Sequence, residues 1–424
     1  MQINLHLLKD KKVKTFAYIF ISQVIFVISN FYVSHKIADN WGTEGFALYS
    51  ILKRFTNFVT FPLLCGIGIS IPVYISKNII YKEKVKAEYL LAGTIIFFSL
   101  FAIFSIFIII FPSLLKTSLN INISLTIEII ILVMIFSQCM FQIATAYLRG
   151  ILSFNIFTGV NIIVLSIFPL LCYYMVDDVY NYFLILSLFS IGIISPIFLK
   201  EIPLNIFPVK NLKEKIIDLA SFGSPRIFGE IALYALDFIP VFLVNLYFNA
   251  NQVAYVTITL MLLKLATMPY SVVGNIILPF MGRIYTEKTR EYFYTKVKYL
   301  LIIGLLASIA ICTFLFFLTP IIVNLFFKNL KDATYFTQIS FLSLPFKMLY
   351  IILRNILDVM SKKAFNTLNL ILTLCCQIGI IYAGIYFNNE ILFRCLSIVI
   401  PNIILGLLTL FTYNKLKRQQ TIVF

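Results

Sequence analysis

The sequence predicts an all-α polytopic membrane protein whose twelve transmembrane helices form two pseudo-symmetric six-helix bundles around a central cleft. Three observations predict this fold class: an apolar composition, twelve apolar runs of membrane-spanning length, and a repeat between the two halves. Of the 424 residues, 61% are hydrophobic and 12% are charged. Soluble domains are about half apolar and about a quarter charged, so this composition is typical of a membrane protein.

Twelve apolar runs are long enough to span a membrane, which takes about 20 residues each. The first run follows four lysines and lacks a small-residue cleavage site, so we expect an uncleaved span with a cytoplasmic N-terminus. The second and eighth runs are too long for one straight span. The predicted spans are 15–34, 45–75, 88–112, 122–148, 155–175, 181–199, 219–248, 252–282, 298–318, 334–357, 366–386 and 392–414.

The distribution of lysine and arginine orients these spans. With the N-terminus inside, 23 basic residues fall in cytoplasmic segments and 4 in outer loops, as the positive-inside rule requires. Both termini are therefore predicted to be cytoplasmic. The formal charge of +16 then reflects segments that face anionic lipids, and no nucleic acid partner is expected. The longest connection, a cytoplasmic loop at 201–218, separates a predicted N-terminal bundle, 1–200, from a C-terminal bundle, 219–424.

The two halves share a spacing of prolines. Pro62 and Pro72 in the second span recur as Pro269 and Pro279 in the eighth, 207 residues later. The segments YLRG (147–150) and ILRN (352–355) have a similar offset, although coincidence is the alternative for each single match. Six spans per half make the repeat parallel, and two facing bundles leave a cleft suited to alternating access. We expect the four prolines to break the two longest helices and to act as hinges.

Several charged residues lie inside the predicted spans, where they usually face a bundle interior or a wet cavity. Lys264 and Lys347 lie near the membrane midplane, so we expect them to line a cationic, substrate-binding cleft. Lys53 and Arg54 are further candidates for this cleft, with snorkelling to the outer surface as the alternative. Arg149, Arg354 and Arg394 lie near span ends and are expected to anchor the helices at the interface.

The seventh span holds a separate cluster of charges. Arg226, Glu230 and Asp237 share one helix face and are bracketed by Pro225 and Pro240. One interpretation is a structural Arg226–Glu230 ion pair. The other is an ion-coupling site, in which a carboxylate in a low dielectric binds and releases a proton or holds a cation.

Motifs of enzymes and metal sites are missing from the sequence. It contains no phosphate loop, no nucleophile elbow and no cluster with metal-ligand spacing. The seven cysteines lie in apolar runs without a disulfide framework. We therefore expect a protein that is not an enzyme, with no catalytic residue, no metal and no cofactor other than a coupling H+ or Na+.

The chain resembles the polysaccharide flippases in three consecutive features: the first span, a short outer loop, and the segment WGTEGFALYS (41–50) before a long, proline-broken helix. This O-antigen (Wzx-type) family belongs to the multidrug/oligosaccharidyl-lipid/polysaccharide (MOP) exporter superfamily, and the resemblance covers the whole chain. It implies a bacterial inner-membrane protein that moves an undecaprenyl-diphosphate-linked oligosaccharide from the cytoplasmic to the periplasmic leaflet. Its expected partners are that substrate, membrane lipids and other polysaccharide-assembly proteins.

Two other functions remain open. A cation-coupled multidrug exporter of the same superfamily is favoured by the acids of the seventh span, whereas a cationic cleft argues against it. A membrane polysaccharide polymerase or glycosyltransferase is the second alternative. The short outer loops and the internal repeat argue against such an enzyme.

Overall fold

The computed structural model of the chain is built from helices. It describes residues 11–77, 83–119, 124–151, 153–202, 212–287, 289–361, 365–389 and 392–422. Every regular element in these stretches is helical, which confirms the predicted all-α class.

The helices of the first half are α1 Lys11–Asn40, α2 Gly42–Leu64, α3 Ile67–Lys77, α4 Glu83–Ile110, α5 Pro112–Leu119, α6 Leu125–Gly150, α7 Phe154–Ile162, α8 Phe168–Met175 and α9 Val179–Glu201. A π-helical turn, Ile163–Ile167, joins α7 to α8. The helices of the second half are α10 Leu212–Tyr247, α11 Ala250–Glu287, α12 Arg290–Phe326, α13 Ala333–Phe341, α14 Leu344–Met360, α15 Phe365–Tyr386 and α16 Ser397–Ile422.

The chain forms two compact units, Met1–Ile227 (unit 1) and Phe228–Phe424 (unit 2). The border falls inside α10, so the first part of this helix belongs to unit 1 and the rest to unit 2. Of the predicted connecting loop, 201–218, residues 203–211 lie outside the described residues, and α10 has already begun at Leu212. The predicted domain limits therefore stay a prediction.

Ten helices in the described stretches are long and apolar enough to cross a membrane, which makes the chain a multi-pass membrane protein. Helices α13 and α14 meet at an angle of 51°, and they make an eleventh if the bent pair forms one span. The remaining predicted span, the second at 45–75, corresponds to α2 and α3. Helix α2 carries Lys53, Arg54 and Asn57, whose polar side chains lower its hydropathy.

The second span is broken where α2 ends. Cys65 and Gly66 both adopt left-handed backbone conformations, with φ of 48° and 73°. A Cβ atom on Gly66 would lie 2.5 Å from the Cα of Gly223 in α10, and a Cβ on Gly223 would lie 2.4 Å from the Cys65 carbonyl oxygen. The helix break and α10 therefore touch backbone to backbone inside unit 1, which glycine at both positions permits.

Aromatic and polar contacts hold the first part of α10 in unit 1. The Phe222 ring meets the Tyr74 ring of α3 edge to face, with 5.9 Å between centroids. Tyr74 in turn stacks on Tyr89 of α4 at 5.5 Å, and the Tyr89 hydroxyl donates to Asp218 Oδ2 at 3.1 Å. These contacts explain why the border between the units lies beyond them, at Ile227.

Pro72 leaves a backbone carbonyl without its usual donor. A proline cannot donate to the carbonyl four residues earlier, which here belongs to Gly68. In hydrocarbon such a carbonyl needs another partner. Arg149 of α6 supplies it, because its Nη2 donates to the Gly68 oxygen at 3.2 Å. The sequence predicted an interface anchor at Arg149, and the structure gives it this additional role.

Other prolines show the same compensation. Pro320 frees the carbonyl of Phe316, and Gln338 of α13 donates its Nε2 to that oxygen at 2.9 Å. Ser195 donates at 3.2 Å to the carbonyl that lies four residues before Pro196. Each helix therefore continues through its proline because a side chain replaces the missing N–H.

The eighth predicted span is not interrupted. Helix α11 runs without a break from Ala250 to Glu287, past Pro269, whereas the sequence predicted a break matching that of the second span. That part of the prediction is wrong, because a proline removes one hydrogen bond without necessarily ending a membrane helix. The side chain of Pro279 lies outside the described residues, and the hinge role of the four prolines stays a prediction.

The glycine contact of the second span can be tested with a pair of substitutions. Gly66→Ala is expected to lower stability by about 2–4 kcal/mol, because alanine strains the left-handed backbone and its methyl group overlaps Gly223. Gly68→Ala is the matched control, since nothing lies within 4 Å of the added atom. Thermal unfolding of both variants in detergent measures the difference. Equal melting temperatures would contradict the backbone contact.

Candidate functional site

Unit 1 contains a polar stripe on α2, formed by Tyr49, Lys53 and Asn57 at intervals of four residues. The half-buried Lys53 donates its Nζ to the Tyr49 hydroxyl at 2.8 Å and to Asn30 Oδ1 of α1. Its ammonium also lies 5.0 Å from the centroid of the Tyr49 ring. Lys53 is thus held inside unit 1, and its charge is solvated by a phenol and an amide.

The stripe continues across unit 1 through further uncharged groups. Gln138 of α6 donates its Nε2 to Asn57 Oδ1 at 3.3 Å. The Tyr49 ring stacks on Phe183 of α9, with centroids 5.4 Å apart. Sequence reasoning missed Asn30, Asn57 and Gln138, although an amide one helical turn from Lys53 inside an apolar span was an available signal.

The four predicted cleft cations are distributed over both units. Lys53 and the half-buried Arg54 are neighbours on α2 in unit 1. In unit 2, Lys264 is exposed on α11 and Lys347 is half-buried on α14. Helices α11 and α14 pack against each other. The cleft that would unite the four cations stays a prediction.

Unit 2 contains an ion pair between Glu230 of α10 and Arg354 of α14, in which Arg354 Nη2 donates to Glu230 Oε1. Their side chains are 17% and 29% exposed, respectively, so the pair is largely enclosed by protein. The sequence suggested Arg226 as the partner of Glu230 and an interface role for Arg354. The structure assigns Glu230 to Arg354, whereas the side chain of Arg226 lies outside the described residues.

Three helices meet at this pair. A Cβ atom on Gly229 would lie 2.7 Å from Thr367 Oγ1, so α10 and α15 approach closely next to Glu230. Asn366 of α15 donates its Nδ2 to the carbonyl of Arg354 at 3.1 Å, which ties α15 to α14. These contacts bring the two charges together from distant parts of the sequence.

Asp237 lies two turns beyond Glu230 and is half-buried. Because α10 is continuous from Leu212 to Tyr247, the predicted sharing of one helix face by the two carboxylates holds. The enclosed pair joins α10 to α14, so a change in the charge or the partner of Glu230 would alter the contact between these two helices.

A single glutamine secures α10 close to this face. Pro240 frees the carbonyl of Leu236, and Pro401 frees that of Ser397. Gln377 of α15, which is 2% exposed, donates its Nε2 to these two oxygens at 3.1 and 3.0 Å. One amide thus donates to both freed carbonyls and joins α10, α15 and α16.

The chain resembles solved structures of MATE transporters over nearly its whole length. It aligns with the inward-facing conformation of a multidrug resistance MATE family transporter of the MOP superfamily at a TM-score of 0.74 and 16% identity, covering 94% of this chain and 96% of that one. It also aligns with the outward-facing conformation of a multidrug resistance MATE family transporter of the MOP superfamily. The TM-score is 0.68 and the identity 15%, with 99% of each chain covered. For a mutant of a Vibrio cholerae MATE transporter, the values are 0.68 and 14%, with 96% and 97% covered.

This chain has the MATE fold. Residues 225–383 also match the MatE family model. No curated protein matches the sequence. Structures of the MATE fold have twelve transmembrane helices in two bundles, which confirms the predicted fold class.

The similar inward-facing and outward-facing structures are described as a transporter of the MOP superfamily, which is the superfamily named in the sequence resemblance. The similar structures are of transporters rather than enzymes, in line with the prediction. The comparisons do not reach the polysaccharide flippases, so that finer resemblance is not confirmed.

The role of Gln377 in the MATE fold of this chain can be measured. Gln377→Leu removes the donor from two buried carbonyls and is expected to lower the free energy of unfolding by about 1–3 kcal/mol. Gln142→Leu, at a half-buried glutamine of α6, is the control for loss of an amide. Thermal unfolding in detergent compares the two. An unchanged melting temperature for Gln377→Leu would show that the carbonyls do not depend on it.

Proposed function

We propose that this chain is a membrane transporter of the multidrug type, which exports organic cations in exchange for protons or sodium ions. The observation that supports this most strongly is the Glu230–Arg354 pair inside a chain with the MATE fold. Two similar structures are described as the inward-facing and outward-facing conformations of a multidrug resistance MATE family transporter. Alternating access accounts for such a pair of conformations.

The sign of the charge change supports a cationic cargo. Export driven by inward proton flow requires that proton and cargo weaken each other's binding, and this coupling is reciprocal. A proton on Glu230 leaves the Arg354 charge without its carboxylate, so the site gains one positive charge. That change repels an organic cation, whereas it would hold an anionic cargo more tightly. Coupling through Glu230 therefore favours the multidrug function.

We also propose the predicted orientation, with both termini cytoplasmic in a bacterial inner membrane. The distribution of lysine and arginine supports it. Inward proton flow then runs from the outer face towards the basic segments.

The coupling role of Glu230 can be tested in proteoliposomes with an imposed pH gradient. Glu230→Gln keeps the shape of the side chain and removes the charge, so efflux of a fluorescent organic cation is expected to fall about 5- to 150-fold. Glu291→Gln, at an exposed position on α12, is the control. Full efflux by Glu230→Gln with an unchanged pH response would refute the coupling.

A second candidate function is the flipping of an undecaprenyl-diphosphate-linked oligosaccharide. The exposed Lys264 and the half-buried Lys347 favour it, because lysines suit a diphosphate that must bind and leave again. For this cargo, the same charge argument makes Glu230 unsuitable as the coupling group.

The two cargo classes respond differently to loss of the lysines. For a flippase, Lys264→Ala and Lys347→Ala are expected to abolish surface polysaccharide in a strain that depends on this chain, although the protein still inserts. For an exporter of organic cations, both variants should keep efflux. Lys328→Ala, at an exposed position of unit 2, is the control. Polysaccharide assays and efflux assays on the same variants, with membrane fractions blotted for the protein, decide between the two functions.

A further inference from the structure

Unit 1 contains a second polar feature at the ends of α1 and α8. Where α1 meets α2 and α8 meets α9, a depression of about 380 Å³ opens at the surface. Its lining includes Lys36, Asn40, Trp41, Tyr173, Tyr174 and Asp177. Each junction follows an odd number of predicted spans, so the proposed orientation places both at the outer face.

The walls of the depression are aromatic and held in place. The Trp41 and Tyr173 rings lie 5.8 Å apart at 41°, and Tyr173 and Tyr174 meet edge to face at 5.2 Å. Asn40 donates its Nδ2 to the Tyr173 hydroxyl, and the hydroxyls of Tyr32 and Tyr174 lie 2.7 Å apart. Trp41 is half-buried and Tyr174 is 67% exposed, so aromatic surface remains open to a ligand.

The charges of the lining balance. Lys36 contributes one positive charge and Asp177 one negative charge, so neither an anion nor a cation is favoured by net charge. The amide and the hydroxyls add further donors and acceptors beside the rings. Anchoring at the membrane interface needs only the amphipathic rings and does not account for Asn40 and Asp177 in the same concavity.

We infer that this depression binds a saccharide. A sugar ring presents apolar C–H faces to aromatic side chains and hydroxyl groups that both donate and accept, which matches this lining. The volume falls within the range of small-molecule pockets, about 300–1,000 Å³. The saccharide belongs either to a lipid-linked cargo or to free glycan at the membrane surface.

Trp41 provides a direct readout, because it is the only tryptophan in the chain. The purified full-length protein in detergent is titrated with galactose, mannose and N-acetylglucosamine while tryptophan fluorescence is recorded. We expect a saturable change in intensity or wavelength for at least one sugar, with a Kd in the millimolar range. Asn40→Ala and Asp177→Asn keep the reporter and should each raise that Kd about tenfold, whereas Lys328→Ala should leave it unchanged.

Three outcomes overturn the proposal. Absence of a saturable change with any of the three sugars does so, provided that thermal unfolding shows folded protein. A change that persists unaltered in both pocket variants reflects a bulk effect of sugar. A response only to phosphatidylethanolamine or phosphatidylglycerol vesicles assigns the depression to lipid head groups. A lipid-linked oligosaccharide that binds more tightly than the matching free sugar identifies the cargo as the source. Because binding is measured without transport, failure here leaves the proposed export function intact.

Discussion

The backbone hydrogen bond in hydrocarbon is the constraint on which much of this structure depends. Every carbonyl freed by a proline needs a donor from within the protein, because lipid offers none. The chain meets that need at three freed carbonyls. Those of Gly68, Phe316 and Leu236 accept from Arg149, Gln338 and Gln377, respectively. Each of these donors belongs to a different helix from the carbonyl that it satisfies. A hydrogen bond lost at a proline is therefore replaced by a contact between two helices.

This constraint also explains why the two halves are less alike than their proline spacing suggests. The second span stops at Cys65 and Gly66, where a glycine contact with α10 stabilises an open break. Helix α11 passes Pro269 without stopping. In the matched segments YLRG and ILRN, Arg149 donates to a backbone carbonyl while Arg354 pairs with a carboxylate. The repeated prolines and arginines therefore occupy matching positions in the two halves, but local packing determines which groups they contact.

The sequence predicts the parts of this structure that depend on composition and periodicity. The approximate positions of the helices and the shared face of Glu230 and Asp237 follow from hydropathy and the helical repeat. The pairing of Glu230 with Arg354, which are 124 residues apart, has no such signal, because it depends on how α10, α14 and α15 pack. Asn57 and Gln138 were missed for another reason: they carry no charge, so a search for intramembrane charges passes over them.

The two units solvate their intramembrane cations in different ways, and this difference assigns them different parts of the proposed cycle. Lys53 in unit 1 is held by a phenol and an amide rather than by a carboxylate. Arg354 in unit 2 is held by the carboxylate of Glu230. The network in unit 2 therefore joins charges of opposite sign on two helices, whereas the contacts described for Lys53 are to a phenol and an amide. The coupling role that we propose for Glu230 therefore belongs to unit 2, whereas the contacts described for Lys53 provide no carboxylate for such a role on α2.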